Sequence, residues 1–206
     1  MKLLAKFVSL LFHPLFLLNF GLFSVFQFHP YYITKFYDNQ FYTISIFIAV
    51  NTLIMPILSI YLFKKFGFIS DYSISNPKQR LLPYSVMVVM LAFTIYQLNK
   101  SGVYGLPLLF MAASALALLL NILINFVSAI STHGIGAGGL IGLFLYLTLF
   151  EHISSFNLLL IISFLIAGLA SWSRLYLNAH TEKQMYSGLI LGFAIVYGVC
   201  VSYTFV

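Results

Sequence analysis

Acidic residues are scarce in this chain: four Asp and Glu among 206 residues, with charged residues of both signs making up 7%. A soluble domain of this length carries roughly a quarter charged residues. A water-soluble fold is therefore excluded, and no soluble domain fits beside a membrane part. The few carboxylates, with no His/Cys/Asp/Glu set at ligand spacing, argue against a metal centre, and no other cofactor is implied. Cys200 is the single cysteine, which excludes an internal disulfide. Long linkers, low-complexity tracts and internal repeats are also missing. The net charge of +6 would suggest nucleic acid in a soluble protein. Here the basic residues stand at the ends of apolar runs, where they set topology, so no nucleic-acid partner is expected.

What the chain has in abundance is apolar sequence, 62% of its residues. A helix needs roughly 20 mostly apolar residues to cross hydrocarbon. Seven segments qualify: Lys6–Phe28, Phe41–Phe63, Leu81–Leu98, Tyr104–Val127, Ile135–Phe150, Phe156–Trp172 and Met185–Val206. The first continues too far for a signal-peptide core and lacks a small-x-small cleavage site. Backbone groups must be satisfied in lipid, so the expected fold is all-α, a polytopic transmembrane bundle of about seven helices. It forms one membrane domain over residues 1–206, set in the lipid bilayer.

Each crossing switches sides. The N-terminus and the connections Lys64–Arg80, Ser128–Gly134 and Ser173–Gln184 fall on one face, with Lys78, Arg80, Ser131, His133, Arg174, His180 and Gln184. The opposite face holds Pro30–Gln40, Asn99–Val103 and Glu151–Ser155. Three helices begin on the polar face, near Leu81, Ile135 and Met185, and helix N-termini carry unsatisfied N–H groups and partial positive charge. Pro83 suits a first-turn position. Ser131 can cap the fifth helix, and Asn178 can cap an extended seventh. Three such ends beside two arginines and a lysine make an anion site, with phosphate the expected occupant. A phosphoryl group held by Arg80, Arg174 and Lys78 could be attacked by His180, with His133 protonating the leaving oxygen. Water would then clear the phosphohistidine, and no metal is needed.

These residues carry a resemblance. Ser173-Arg174-x5-His180-x3-Gln184 resembles the third signature of the type 2 phosphatidic acid phosphatase superfamily, Ser-Arg-x5-His-x3-Asp. Ser131-Thr132-His133 resembles the second, Pro-Ser-Gly-His. Lys78-Gln79-Arg80-Leu81-Leu82-Pro83 is a looser match to the first, Lys-x6-Arg-Pro. The resemblance implies a phosphatase-like core over about residues 64–206, with His180 as nucleophile and His133 as acid. It implies that Arg80, Arg174 and Ser131 contact phosphate, with Lys78 standing in for the first-signature lysine. The substrate implied is a lipid phosphate or isoprenoid pyrophosphate of the membrane. The chain departs from the pattern at Gln184, where the family has Asp, at Ile130 and Thr132, and at Ser73, seven residues before Arg80. Gln184 can orient His180 but brings no negative charge, which implies slower turnover or a changed substrate. The alternative is an impaired member acting as a lipid-binding or accessory membrane protein.

Other features have structural readings. His13-Pro14 marks a kink and His29-Pro30 a helix end. Glu151 and His152 mark the opposite interface. Gly134-x-Gly136-x-Gly138-Gly139 serves close helix packing. Asn121 and Asn125, four residues apart, line a head-group pocket or bond between helices. Pro30-Tyr31-Tyr32 and Phe41-Tyr42 fit an aromatic belt. Lys2, Lys6, Lys64, Lys65, Lys78, Arg80, Arg174 and Lys183 share the polar face, against Lys35 and Lys100 on the other. The expectation is a bacterial inner-membrane protein with its polar face in the cytoplasm.

Overall fold

The structure, a computed structural model, describes residues 1–36, 38–72, 74 and 76–204. Ser73 lies outside the described residues. Among them the chain is all-helical: α1 (Lys2–Leu11), α2 (Pro14–Phe28), α3 (Pro30–Lys35), α4 (Asp38–Ala49), α5 (Met55–Lys65), α6 (Leu81–Lys100), α7 (Leu106–Ile124), α8 (Thr132–Leu149), α9 (Ser155–Tyr176) and α10 (Glu182–Tyr203). A π-helical turn, Val50–Ile54, joins α4 to α5, and a 3-10 turn, Pro77–Arg80, leads into α6. Six helical stretches are long and apolar enough to cross a membrane, or seven if the bent pair α1–α2 counts as one span. The protein is an integral, multi-pass membrane protein.

Two His-Pro steps punctuate the N-terminal apolar run. A residue before proline is driven to extended backbone, and His13 and His29 sit at ψ 139° and 121°. Each imidazole then caps the helix it opens: His13 Nδ1 accepts from Leu15 N at 3.4 Å, and His29 Nδ1 from Tyr31 N at 3.3 Å. The segment expected as one helix over Lys6–Phe28 is therefore two, meeting at 46°. Ten residues of α1 reach only about 15 Å, so α1 does not cross by itself. It packs on α9 through Ala5, Val8 and Ser9 and leaves Leu3, Phe7 and Leu10 exposed.

The centre of the bundle is α8, whose Leu140, Leu143, Phe144 and Leu147 are wholly buried. Its main partner is α10, and glycines bring the two backbones together. A Cβ at Gly192 would stand 2.0 Å from the Ile135 carbonyl oxygen, and one at Gly138 2.1 Å from that of Leu189. Small residues permit this approach where lipid offers no hydrophobic drive to associate. The glycine run of the fifth apolar segment thus serves packing.

Three departures from the expected helix ends bear on the polar cluster. The α8 helix starts at Thr132, not Ile135, so His133 lies in its first turn. The α9 helix runs to Tyr176, so Ser173 and Arg174 belong to its last turns, not to a connection. The α10 helix starts at Glu182, capped by Thr181; Asn178 is not its cap.

Candidate functional site

The site is assembled from helix ends. At the end of α9, Asn178 adopts the left-handed conformation at φ 52°. Its N–H donates to the Leu175 carbonyl at 2.9 Å, and the next N–H, from Ala179, donates to the Arg174 carbonyl at 3.0 Å. This paired closure satisfies carbonyls that a helix end leaves open. It also turns the chain so that His180 returns beside Arg174. The Ser173 hydroxyl, wholly buried, donates to the Ala170 carbonyl at 2.8 Å and supports the helix.

Gln184 holds the next link. Its Oε1 accepts from the Thr181 N–H at 3.1 Å, and Thr181 Oγ1 accepts from the Gln184 N–H at 3.3 Å, a complete capping box. The same Oε1 lies 3.2 Å from His180 Nδ1. An oxygen already accepting from an amide is an acceptor, so Nδ1 carries the His180 proton. The lone pair then resides on Nε2. Burial, and next the Arg174 charge, push His180 down to about 4; the Gln184 bond opposes this and Arg80 adds to it. His180 is thus neutral at physiological pH, in one tautomer.

His133 is held differently. Its Nε2 lies 3.1 Å from the Ser9 carbonyl and 3.5 Å from Ser9 Oγ. A carbonyl only accepts, so Nε2 carries the proton here. Among the described residues His133 Nδ1 is buried without a partner. The His13 ring packs edge-on against His133, centroids 5.4 Å apart. Arg174 Nη1 donates to Ser9 Oγ at 2.9 Å, while its Nε is buried and unpartnered. Ser9 therefore bridges Arg174 and His133.

Arg80 is buried, and its Nε donates to the Ile74 carbonyl at 3.0 Å. It lies close enough to Arg174 for the two charges to oppose one another. Among the described residues neither guanidinium has a carboxylate at ion-pair distance. The Ser131 N–H donates to the Gln184 carbonyl at 3.1 Å, tying the α8 start to α10.

No family model, curated protein or solved structure matches this chain.

The structure thus brings together Arg80 from the 3-10 turn before α6, Ser131 and His133 from the start of α8, Arg174 from the end of α9, and His180 and Gln184 from the start of α10. Ser131 is the α8 cap, its Oγ accepting from the Gly134 N–H at 3.4 Å. Lys78 stands apart: it is exposed on the 3-10 turn, and among the described residues its ammonium makes no hydrogen bond. Two members were missed by sequence reasoning. Ser9 and His13 come from the N-terminal helices, and only the bend at His13-Pro14 hinted that this segment was special. On the opposite face Glu151 Oε1 accepts from Tyr146 at 3.1 Å, and His29 Nε2 approaches Glu151 Oε2 at 3.8 Å.

Proposed function

We propose that this protein is a membrane lipid-phosphate phosphatase, hydrolysing a lipid phosphate or isoprenoid pyrophosphate through a phosphohistidine. The observation that carries this reading is the Gln184–His180 contact, which leaves Nε2 of a neutral imidazole as a free nucleophile beside two unpaired arginines. The resemblance to type 2 phosphatidic acid phosphatases, residue by residue at Arg80, Ser131, His133, Arg174 and His180, supports it.

In this mechanism the guanidiniums of Arg80 and Arg174 hold the phosphoryl oxygens and spread their charge. The His180 Nε2 lone pair forms the N–P bond as the bond from phosphorus to the leaving oxygen breaks. With the phosphate bound, His133 carries a second proton on Nδ1, the nitrogen its Ser9 contact leaves open, and passes it to that oxygen, releasing the lipid alcohol or monophosphate. His133, now neutral with a free Nδ1 lone pair, accepts a proton from water as its oxygen attacks phosphorus. The N–P bond breaks, and inorganic phosphate and neutral His180 are restored. Splitting one displacement into two is what the covalent step contributes.

The test is phosphate release by purified protein across a panel of lipid phosphates, with a chelator present. The wild type should release phosphate and His180→Ala should not. Equal activity in the variant, or loss of wild-type activity on chelation, overturns the mechanism.

A second reading, a non-catalytic lipid-phosphate binder, is favoured by one observation. Ser9 already occupies Arg174 and the His133 proton, and Gln184 gives the imidazolium no charge. Substrate binding without turnover in the same panel would decide for it.

For orientation we propose a bacterial inner membrane with the site facing the cytoplasm. Without the phosphate-binding cations, Lys2, Lys6, Lys64, Lys65 and Lys183 still outnumber Lys35 and Lys100. Exposed Tyr72 gives the assay: Tyr72→Cys in a Cys200→Ser background should resist membrane-impermeant reagents in intact cells. Labelling would place the site outside.

A further inference from the structure

We infer that Asn121 on α7, together with the Tyr84 hydroxyl on α6, forms the membrane-side floor of the phosphate site and donates hydrogen bonds to the bound phosphoryl oxygens. This rests on the phosphate reading above and adds specificity-determining residues that lie outside the three signatures.

Asn121 is wholly buried, one turn from the end of α7. Its Oδ1 accepts from Asn125 Nδ2 at 3.4 Å. That bond fixes the amide and directs Nδ2 away from Asn125 and toward the Tyr84 hydroxyl, and among the described residues Nδ2 has no partner within full hydrogen-bond distance. More than nine in ten buried polar groups in folded proteins are paired, and within a membrane no water rescues an orphan. A buried amide donor with only a loose contact to the Tyr84 hydroxyl keeps capacity for a ligand oxygen. Its neighbour shows which partner. The Tyr84 hydroxyl stands beside Asn121 and Thr132 and within the field of both Arg80 and Arg174. Arg174 Nε is a second buried, unpartnered donor in the same neighbourhood. Donors with spare capacity thus lie near one another on α7 and α9, with a hydroxyl from α6, beside two guanidiniums that have no carboxylate at ion-pair distance among the described residues. The group that meets this arrangement is an anion with several acceptor oxygens. A phosphoryl group held by the arginines at the membrane surface would present its inner oxygen to Asn121 Nδ2 and the Tyr84 hydroxyl. A neutral lipid hydroxyl would leave both arginines and at least one donor unmet.

The competing account is that Asn121 is a structural bond between α6 and α7. The two accounts give opposite stability changes. Replacing an unpaired buried donor with an apolar group of similar size is neutral or stabilising, whereas breaking a structural bond destabilises. Thermal unfolding of the detergent-solubilised protein would be followed against inorganic phosphate, for wild type, Asn121→Leu and Tyr84→Phe. All would carry His180→Ala, so that covalent chemistry does not enter. The wild-type background should be stabilised by phosphate. Asn121→Leu should unfold at the same or a higher temperature without phosphate and bind phosphate at least tenfold more weakly. Tyr84→Phe, which keeps the ring packing, should also weaken binding. Phosphate affinity within twofold of the parent in Asn121→Leu overturns the inference. If that variant does not fold, unchanged affinity in Tyr84→Phe overturns it instead. Absence of any phosphate response in the parent overturns the phosphate site itself, a separate result.

Discussion

Replacing Gln184 by aspartate tests the electrostatics of His180, the proposed nucleophile, directly. Gln184 Oε1 touches His180 Nδ1 at 3.2 Å and the Thr181 N–H at 3.1 Å. A carboxylate at this first-turn position keeps an acceptor facing the imidazole, and a negative charge suits a helix N-terminus. His180 is held at about 4 by burial and then by Arg174. An opposite charge within about 4–6 Å raises a histidine by roughly 1–3 units, so Gln184→Asp should bring His180 to roughly 5–7. Two consequences follow with definite sign. The acid limb of phosphate release should move toward neutral pH, because the nucleophile is protonated sooner. At pH 8 turnover should rise, because the carboxylate supports the imidazolium that forms as Nε2 attacks. Stability gives a check independent of activity. With the folded value below the ordinary 6.5, the unfolded chain takes up a proton between about 6.5 and 4 that the folded chain refuses. Stability contributed by neutral His180 is thus present above 6.5 and lost as pH falls through that window. Gln184→Asp narrows the window, so its thermal stability should fall less on going from pH 7 to pH 5. The assays are histidine NMR titration, with the resonance assigned by His180→Gln, and thermal unfolding against pH. A His180 titration that does not move, or moves down, would refute the reasoning.

Ser9→Ala should raise phosphate affinity on the order of tenfold. It removes one bond from the Arg174 guanidinium, and a hydrogen bond to a charged group contributes about 1.5 kcal/mol or more; weaker binding in titration would instead make Ser9 a phosphate ligand. Gly138→Ala should destabilise by about 1–3 kcal/mol, because its Cβ would fall 2.1 Å from the Leu189 carbonyl oxygen and must push α10 away. Turnover should fall with unfolding temperature in that variant, since the Ser131–Gln184 link joins the same two helices; unchanged melting would refute the packing account. On the far face Glu151→Gln should leave phosphate release unchanged while lowering the His29 titration. Burial already holds that group down and Glu151 opposes the shift.

The membrane architecture was legible because hydrocarbon imposes it. Each crossing needs an unbroken apolar run, and the runs marked the crossings to within a few residues. That Arg80, His133, Arg174 and His180 gather at one end of the bundle agrees with the count of crossings. Helix ends were less legible, and one error is instructive. Thr181-x-x-Gln184 is a capping-box spelling, which would have started α10 at Glu182. Reading Gln184 only as the partner of His180 hides that spelling and leaves Asn178 as the candidate cap. The structure puts Asn178 in the left-handed turn that ends α9. Ser9 was beyond reach for another reason. It is one serine in an apolar helix, separated from Arg174 by 165 positions. Its contact exists because proline breaks the first segment and lays α1 against α9. Pairwise spacing cannot report a contact that depends on the angle of a break.

The same capping box bears on why glutamine stands where an aspartate was expected. One oxygen of Gln184 serves both the Thr181 N–H and His180 Nδ1. The third residue of a capping box must reach back to the N-cap amide, and the longer Glu and Gln side chains are the ones that do so. Aspartate, one methylene shorter, would face the imidazole but strain to close the box. Glutamine closes it and still fixes the histidine tautomer. Glutamine forgoes charge beside His180 and gives a firmer start to α10, the helix on which α8 and His133 are packed. On this account Gln184→Glu, not Gln184→Asp, is the substitution that should restore charge while keeping the α10 start. The two should give similar His180 titrations, with Gln184→Glu unfolding at the higher temperature. The reverse order of unfolding temperatures would show that the box does not depend on side-chain length.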